Sequence, residues 1–144
     1  LISSCDLAYS SSRAKYATPG VNIGLFCSTP MVPLSRTVGK KQAMEMLLTG
    51  DLIDANKALR IGLINDVFEE DSLKENVFQI AKKISSKSSN TIKIGKEAFY
   101  KQKDMNLEDA YTFTSKVMTE NMLHDDSKEG IDAFLEKREP NWKE

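Results

Sequence analysis

Beyond residue 69 the apolar residues of this chain fall at helical spacing in four consecutive segments, and this constrains the fold more than any single motif. Leu73, Val77, Ile80, Ala81 and Ile84 make one face of the first segment. Ile92, Ile94, Ala98 and Phe99 mark a second helix over 91–102, and Leu107, Ala110, Tyr111, Val117, Met118 and Met122 a third that reaches Leu123. Ile131, Phe134 and Leu135 lie on a last helix through Arg138, which Pro140 prevents from continuing. Four amphipathic helices must bury their apolar faces, and the first 68 residues offer limited surface for that. The pattern predicts an α/β segment over 1–68 and a helical region over 69–144. Either a preceding part of the protein or another subunit then covers the helical faces.

Local signals refine the picture. Cys5 to Tyr9 reads as a buried strand with Cys5 in the core, and Lys15 to Ala17 as a second short strand. Lys40 to Leu48 is rich in helix formers and stops at Gly50. Asp54 can cap a helix that Gly62 ends, and Leu63 to Phe68 follows as a strand. Ser72 and Glu75 have the spacing of a capping box. Residues 85–90 read as a turn, Asn106 and Asp109 as a helix start, and Asp126 as the cap of the last helix.

Composition excludes several classes. The 144 residues are 40% hydrophobic and 28% charged, with a formal net charge of -1, so no overall field draws the chain to nucleic acid. Two cysteines without a C-x-x-C pair support neither a disulfide scaffold nor a zinc site. No apolar run approaches the roughly 18 residues of a membrane helix. The chain does not begin with Met and starts as though inside a domain, which suggests a fragment lacking its N-terminal part.

The stretch 17–30, ATPGVNIGLFCSTP, is the most unusual. It carries no charged group, is too apolar for an ordinary surface loop, and is too broken for a helix or a long strand. Cys27, Ser28 and Thr29 are its nearest chemical candidates, but a catalytic cysteine needs a base, a cation or a helix N-terminus to activate it. Cys27 therefore reads first as a small buried or half-buried residue. Asp6 reads as a structural carboxylate, and His124 as a solvated histidine at a helix end. Asp125 and Asp126 are a helix-start signal before they are a metal site; Lys40 and Lys41 read as a solvated helix start.

Four blocks, SCDLAYSS, KYATPGVNIGL, AMEMLLTGDLIDANKALRIGLINDV and DDSKEGIDAFLEKREPNW, stand in the order seen in the enoyl-CoA hydratase/isomerase, or crotonase, superfamily, which this chain resembles over essentially its whole length. The resemblance implies an α/β fold: the C-terminal half of a spiral of ββα turns, followed by helices that build trimers, often paired into hexamers. It implies an acyl-CoA or enoyl-CoA thioester as ligand, with coenzyme A part of the substrate and no separate cofactor or metal. The stretch 17–30 resembles a narrower group within that family, and this closer resemblance implies a mitochondrial location and a role in fatty-acid metabolism.

In such proteins two backbone N–H groups hold the thioester oxygen and, in hydratases, two glutamates activate water. The resemblance places both donors and one glutamate upstream of Leu1, and the second glutamate at Gly20. It assigns Thr18, Pro19, Gly20, Ile23, Gly24 and Leu25 to the substrate pocket, and Phe134 and Lys137 to the nucleotide end of CoA bound by an adjacent subunit. Since glycine has no side chain to move a proton, ordinary two-glutamate hydration is not implied. Three readings stay open: a thioester enzyme using another acid/base, a thioester-binding or regulatory protein without hydratase chemistry, and a chain with an assembly role alone.

Overall fold

The computed structural model describes residues 1–143 and divides into two compact units, the first comprising Leu1–Ile80 and the second running from Ala81 onward. In the first unit, strands β1 (Tyr9–Ser11) and β4 (Asp66–Phe68) pair in parallel, with Tyr9 beside Asp66 and Ser11 beside Phe68. Strands β2 (Lys15–Tyr16) and β3 (Ile53–Asp54) pair antiparallel. Helices α1 (Ser28–Thr37) and α2 (Lys40–Thr49) lie between β2 and β3 in the chain, and α3 (Ala55–Arg60) follows β3. Leu34 of α1, Met46 and Leu47 of α2, Ile53, Ala58 of α3 and Leu63 form the core. Leu47 is only 1% exposed, and truncating such a side chain to Ala costs about 2–5 kcal/mol.

Several local expectations hold. Helix α2 ends at Gly50 in the left-handed conformation, φ 65°. Asp54 caps α3, its Oδ1 accepting from the Lys57 N–H at 2.7 Å.

Others are corrected. Ile2–Ser4 wind into a 3-10 turn instead of leading into a strand, so β1 begins only at Tyr9 and Cys5 is exposed, not core. The strand expected over 63–68 shrinks to Asp66–Phe68. Leu63 and Ile64 are buried in the turn before it, and Asn65 exchanges hydrogen bonds with Ala8, main chain and side chain both at 2.7 Å. Ser28, Thr29 and Pro30 form the first turn of α1, although the stretch 17–30 reads as too broken for a helix. Pro30 is tolerated because the first turn of a helix leaves its N–H groups unpaired in any case.

Helix α4 (Glu70–Ser85) starts before Ser72, so Ser72 and Glu75 are not a capping box; the Ser72 hydroxyl donates back to the Glu69 carbonyl at 3.2 Å. The acidic start of α4 is engaged from β1: the Ser11 hydroxyl bonds the Glu70 carboxylate and Ser12 Oγ that of Glu69 at 2.9 Å.

The second unit contains α5 (Ser89–Gln102), α6 (Leu107–Met122) and α7 (Asp125–Glu136). Ser88 caps α5 and Asn106 caps α6 through side-chain oxygens that accept from Thr91 N–H and Asp109 N–H. The N-cap of α7 is His124, not Asp126. Little of this unit is buried: among its described residues only Ser88, Asp126 and Ala133 are. Phe99, Leu107, Tyr111, Ile131, Phe134 and Leu135 all stay exposed. No helix among the described residues is long and apolar enough to cross a membrane.

Candidate functional site

The loop 18–27 is fastened at its base to the end of α2. Thr18 is buried, and its hydroxyl donates to the Met46 carbonyl at 2.8 Å; the same carbonyl accepts from the Gly50 N–H at 3.1 Å. From there Pro19–Ile23 form a 3-10 helix, with proline's fixed φ at its first position. Gly24 ends it at φ 78°, a conformation that glycine adopts without penalty. The turn packs so closely on α2 that a Cβ on Gly50 would meet the Asn22 side chain and Val21 Cγ1 at 3.0 Å.

Gly20 is held at both of its polar ends. Its N–H points to Cys27 Sγ at 3.3 Å, and its carbonyl accepts from the Leu25 N–H at 2.9 Å. A Cβ at this position would lie 2.6 Å from the Leu25 carbonyl oxygen and 2.8 Å from Cys27 Sγ. The loop closes over the space that any side chain would need. Cys27 is half-buried at the N-cap of α1, and its carbonyl receives the Met31 N–H at 2.9 Å. The Ser28 hydroxyl is turned to the Phe26 carbonyl at 3.3 Å. Ile23 and Leu25 project at the tip, 76% and 63% exposed. The stretch thus brings Thr18, Pro19, Gly20, Ile23, Gly24, Leu25 and Cys27 into one compact turn with an apolar tip.

In the second unit Phe134 is 81% exposed on α7. It lines an apolar groove of about 750 Å³ with Ile92, Met118, Met122, Ile131 and Trp142. Lys137 ends α7 with φ 55°, the one non-glycine residue with positive φ among those described, and is exposed.

The segment after Lys137 folds back onto this unit. Arg138 binds Glu129 through two nitrogens, at 2.5 and 3.0 Å, and Asn141 N–H adds a bond to Glu129 at 2.7 Å. The guanidinium and that N–H hold the Glu129 carboxyl down from 4.5 to about 2. The Trp142 indole N–H donates to the Ser86 carbonyl at 2.8 Å, and its ring lies where a Cβ on Gly130 would meet it at 3.3 Å.

His124 Nε2 lies 3.0 Å from Asn90 Nδ2. Asp125 pairs with Lys143 at 3.1 Å, and the buried Asp126 carboxylate receives the Ser88 hydroxyl at 2.5 Å. Among the described residues no three or more His, Cys, Asp or Glu side chains are grouped as metal ligands. Sequence reasoning missed the pair Ser88–Asp126 and the fold-back that Trp142 anchors. The serine-rich run 85–90 contained the first signal, since Ser88 stands three residues before the N–H it caps.

The model of the enoyl-CoA hydratase/isomerase family matches residues 1–144, and the chain belongs to that family. Its fold is that of the C-terminal helical half of a crotonase-type protein. More particularly, the chain is 50% identical over 142 residues to mouse (Mus musculus) enoyl-CoA hydratase domain-containing protein 3, mitochondrial; the match covers 99% of this chain and 47% of the mouse protein. The crystal structure of the human protein of that name superposes with a TM-score of 0.95 at 49% identity, over 99% of this chain and 56% of that one. An enoyl-CoA hydratase structure from Mycobacterium smegmatis gives a TM-score of 0.96 at 42% identity, over 99% and 55%. The chain spans about half the length of these relatives. The mouse, rat and human relatives are named as mitochondrial, which assigns this chain to the mitochondrion.

Proposed function

We propose that this chain is the C-terminal half of a protein that binds acyl-CoA and enoyl-CoA thioesters in fatty-acid metabolism and lacks the water-activating glutamate of hydratases. The observation that carries the reading is the closure around Gly20, where a side chain would meet the Leu25 carbonyl oxygen at 2.6 Å. By family resemblance this is the position of an acid/base. Glycine supplies no carboxylate there, and the loop leaves no space for one.

The thioester oxygen would be held by backbone donors upstream of Leu1. Such donors contribute roughly 2.7–4 kcal/mol each in enzymes where one has been removed. With donors and no acid/base at residue 20, the thioester is polarised but water is not activated from this loop. At the nucleotide end, Lys137 offers a cation for a CoA phosphate and Phe134 an exposed ring for the base. Coenzyme A is thus part of the ligand. The exposed faces of α6 and α7 fit a homotrimer or a dimer of trimers, in which these two residues serve a neighbouring subunit's ligand.

The test uses a protein carrying this chain together with the upstream half that its relatives have. Calorimetry with a non-reactive thioether analogue of an acyl-CoA should show binding, while a short trans-2-enoyl-CoA should persist. Turnover at hydratase rates overturns the loss of chemistry; absence of binding overturns the whole reading. A second reading, assembly alone, is favoured by the open groove around Phe134. It predicts association of the 144-residue chain with intact subunits and no thioester binding by the 144-residue chain itself.

A further inference from the structure

We propose that Cys27 is a positioning residue: its sulfur clasps Gly20 and thereby fixes the apolar tip Ile23–Phe26 as a wall for the aliphatic part of an acyl group. This deepens the thioester-binding reading and rests on it for the identity of the ligand, though not for the clasp itself.

The argument begins with the Gly20 N–H. It lies in the first turn of the 3-10 helix Pro19–Ile23, where a helix leaves its own N–H groups unpaired. Cys27 Sγ receives it at 3.3 Å. The Leu25 N–H to Gly20 carbonyl bond, 2.9 Å, closes the same loop from its other side. Two bonds on one glycine therefore set the path of residues 21–27. Cys27 is in turn anchored in α1 through the Met31 N–H at 2.9 Å, and it packs against the hydrophobic core. The clasp thus ties the free end of the loop to a helix, as Thr18 ties its start to α2.

What the clasp presents is wholly apolar. Ile23, Leu25 and Phe26 are exposed, and no charged residue occurs between Ala17 and Pro30. A surface of that chemistry recognises methylene groups and offers nothing to a polar acyl substituent. The sulfur also stands 2.8 Å from where a Cβ on residue 20 would be, so the clasp forms only with glycine there. Residues 20 and 27 act as one unit.

Hydrogen exchange in the 144-residue chain tests the clasp without any ligand. In Cys27→Ala the Gly20 amide should exchange about fivefold faster or more, as expected for losing one hydrogen bond, with Cys27→Ser restoring part of the protection. Unchanged protection of the α2 amides confirms an intact fold; an unchanged Gly20 rate in Cys27→Ala overturns the clasp. Binding by the protein with its upstream half restored tests the role. Cys27→Ala should weaken dodecanoyl-CoA about tenfold through its misplaced wall while leaving free CoA unchanged, with Cys27→Ser closer to wild type. A parallel loss for both ligands, or for neither, overturns the positioning role. Failure of the wild-type protein to bind any thioester removes the ligand reading, while the exchange result stands by itself.

Discussion

Ser88 and Asp126, 38 positions apart, share a buried hydrogen bond of 2.5 Å that joins the start of α5 to the start of α7. Ser88 Oγ also accepts from the Thr91 N–H at 3.0 Å, and Asp126 Oδ1 receives the Lys143 N–H at 3.2 Å. One hydroxyl therefore caps a helix and satisfies a buried carboxylate. Ser88→Ala should destabilise the chain by roughly 1–3 kcal/mol, from the lost cap and the unpaired carboxylate oxygen. Urea unfolding checks this; a change near zero would show that water replaces the serine.

Gly20→Glu should not restore hydration. The added Cβ meets a backbone carbonyl at 2.6 Å, which cannot swing aside as a side-chain end could. The variant should lose roughly 1–3 kcal/mol by overpacking, with Gly20→Ala losing a comparable amount. Thermal unfolding beside an enoyl-CoA assay measures both. A stable, hydrating Gly20→Glu protein would show that the loop opens readily.

Lys137→Gly should raise stability and lower CoA affinity together. The left-handed conformation penalises a residue with a Cβ by about 1–2 kcal/mol, so glycine gains roughly 0.5–1 kcal/mol after its greater unfolded freedom is subtracted. The same change deletes the cation proposed for a CoA phosphate. Denaturation and CoA titration on one sample separate the two effects; unchanged CoA affinity would remove Lys137 from the site.

Acid should release the segment that folds back after α7. Glu129 sits at about 2 in the fold against 4.5 ordinarily, so the fold favours its charged form. Its contribution is complete above about 4.5 and is lost as the pH falls toward 2. Trp142, the chain's single tryptophan, reports this directly, because its indole bonds Ser86 within the same unit. Its fluorescence should titrate across that window, and Glu129→Gln should flatten the curve.

The sequence made the short-range features legible. Asp54 and Asn106 each act on an N–H three residues ahead, and the spacing alone announces them. The family's blocks exposed the fold class. Helix α1 stayed hidden because the stretch 17–30 read as too broken for a helix, although Pro30 falls in the forgiving first turn. Asp126 was assigned to its own helix because its partner Ser88 lies beyond the reach of any local pattern. Glycine at position 20 could be read as a missing carboxylate; that the chain also fills the space could not, since it depends on where Leu25 and Cys27 return.

That filled space bears on which substitutions the loop accepts. With the Leu25 carbonyl oxygen 2.6 Å from where a Cβ on residue 20 would lie, any single substitution toward an acid meets a collision before it can offer a gain in rate. The turn works as a ratchet that holds residue 20 at glycine. A carboxylate for this loop must therefore come from a position other than residue 20, one whose Cβ does not meet the returning backbone.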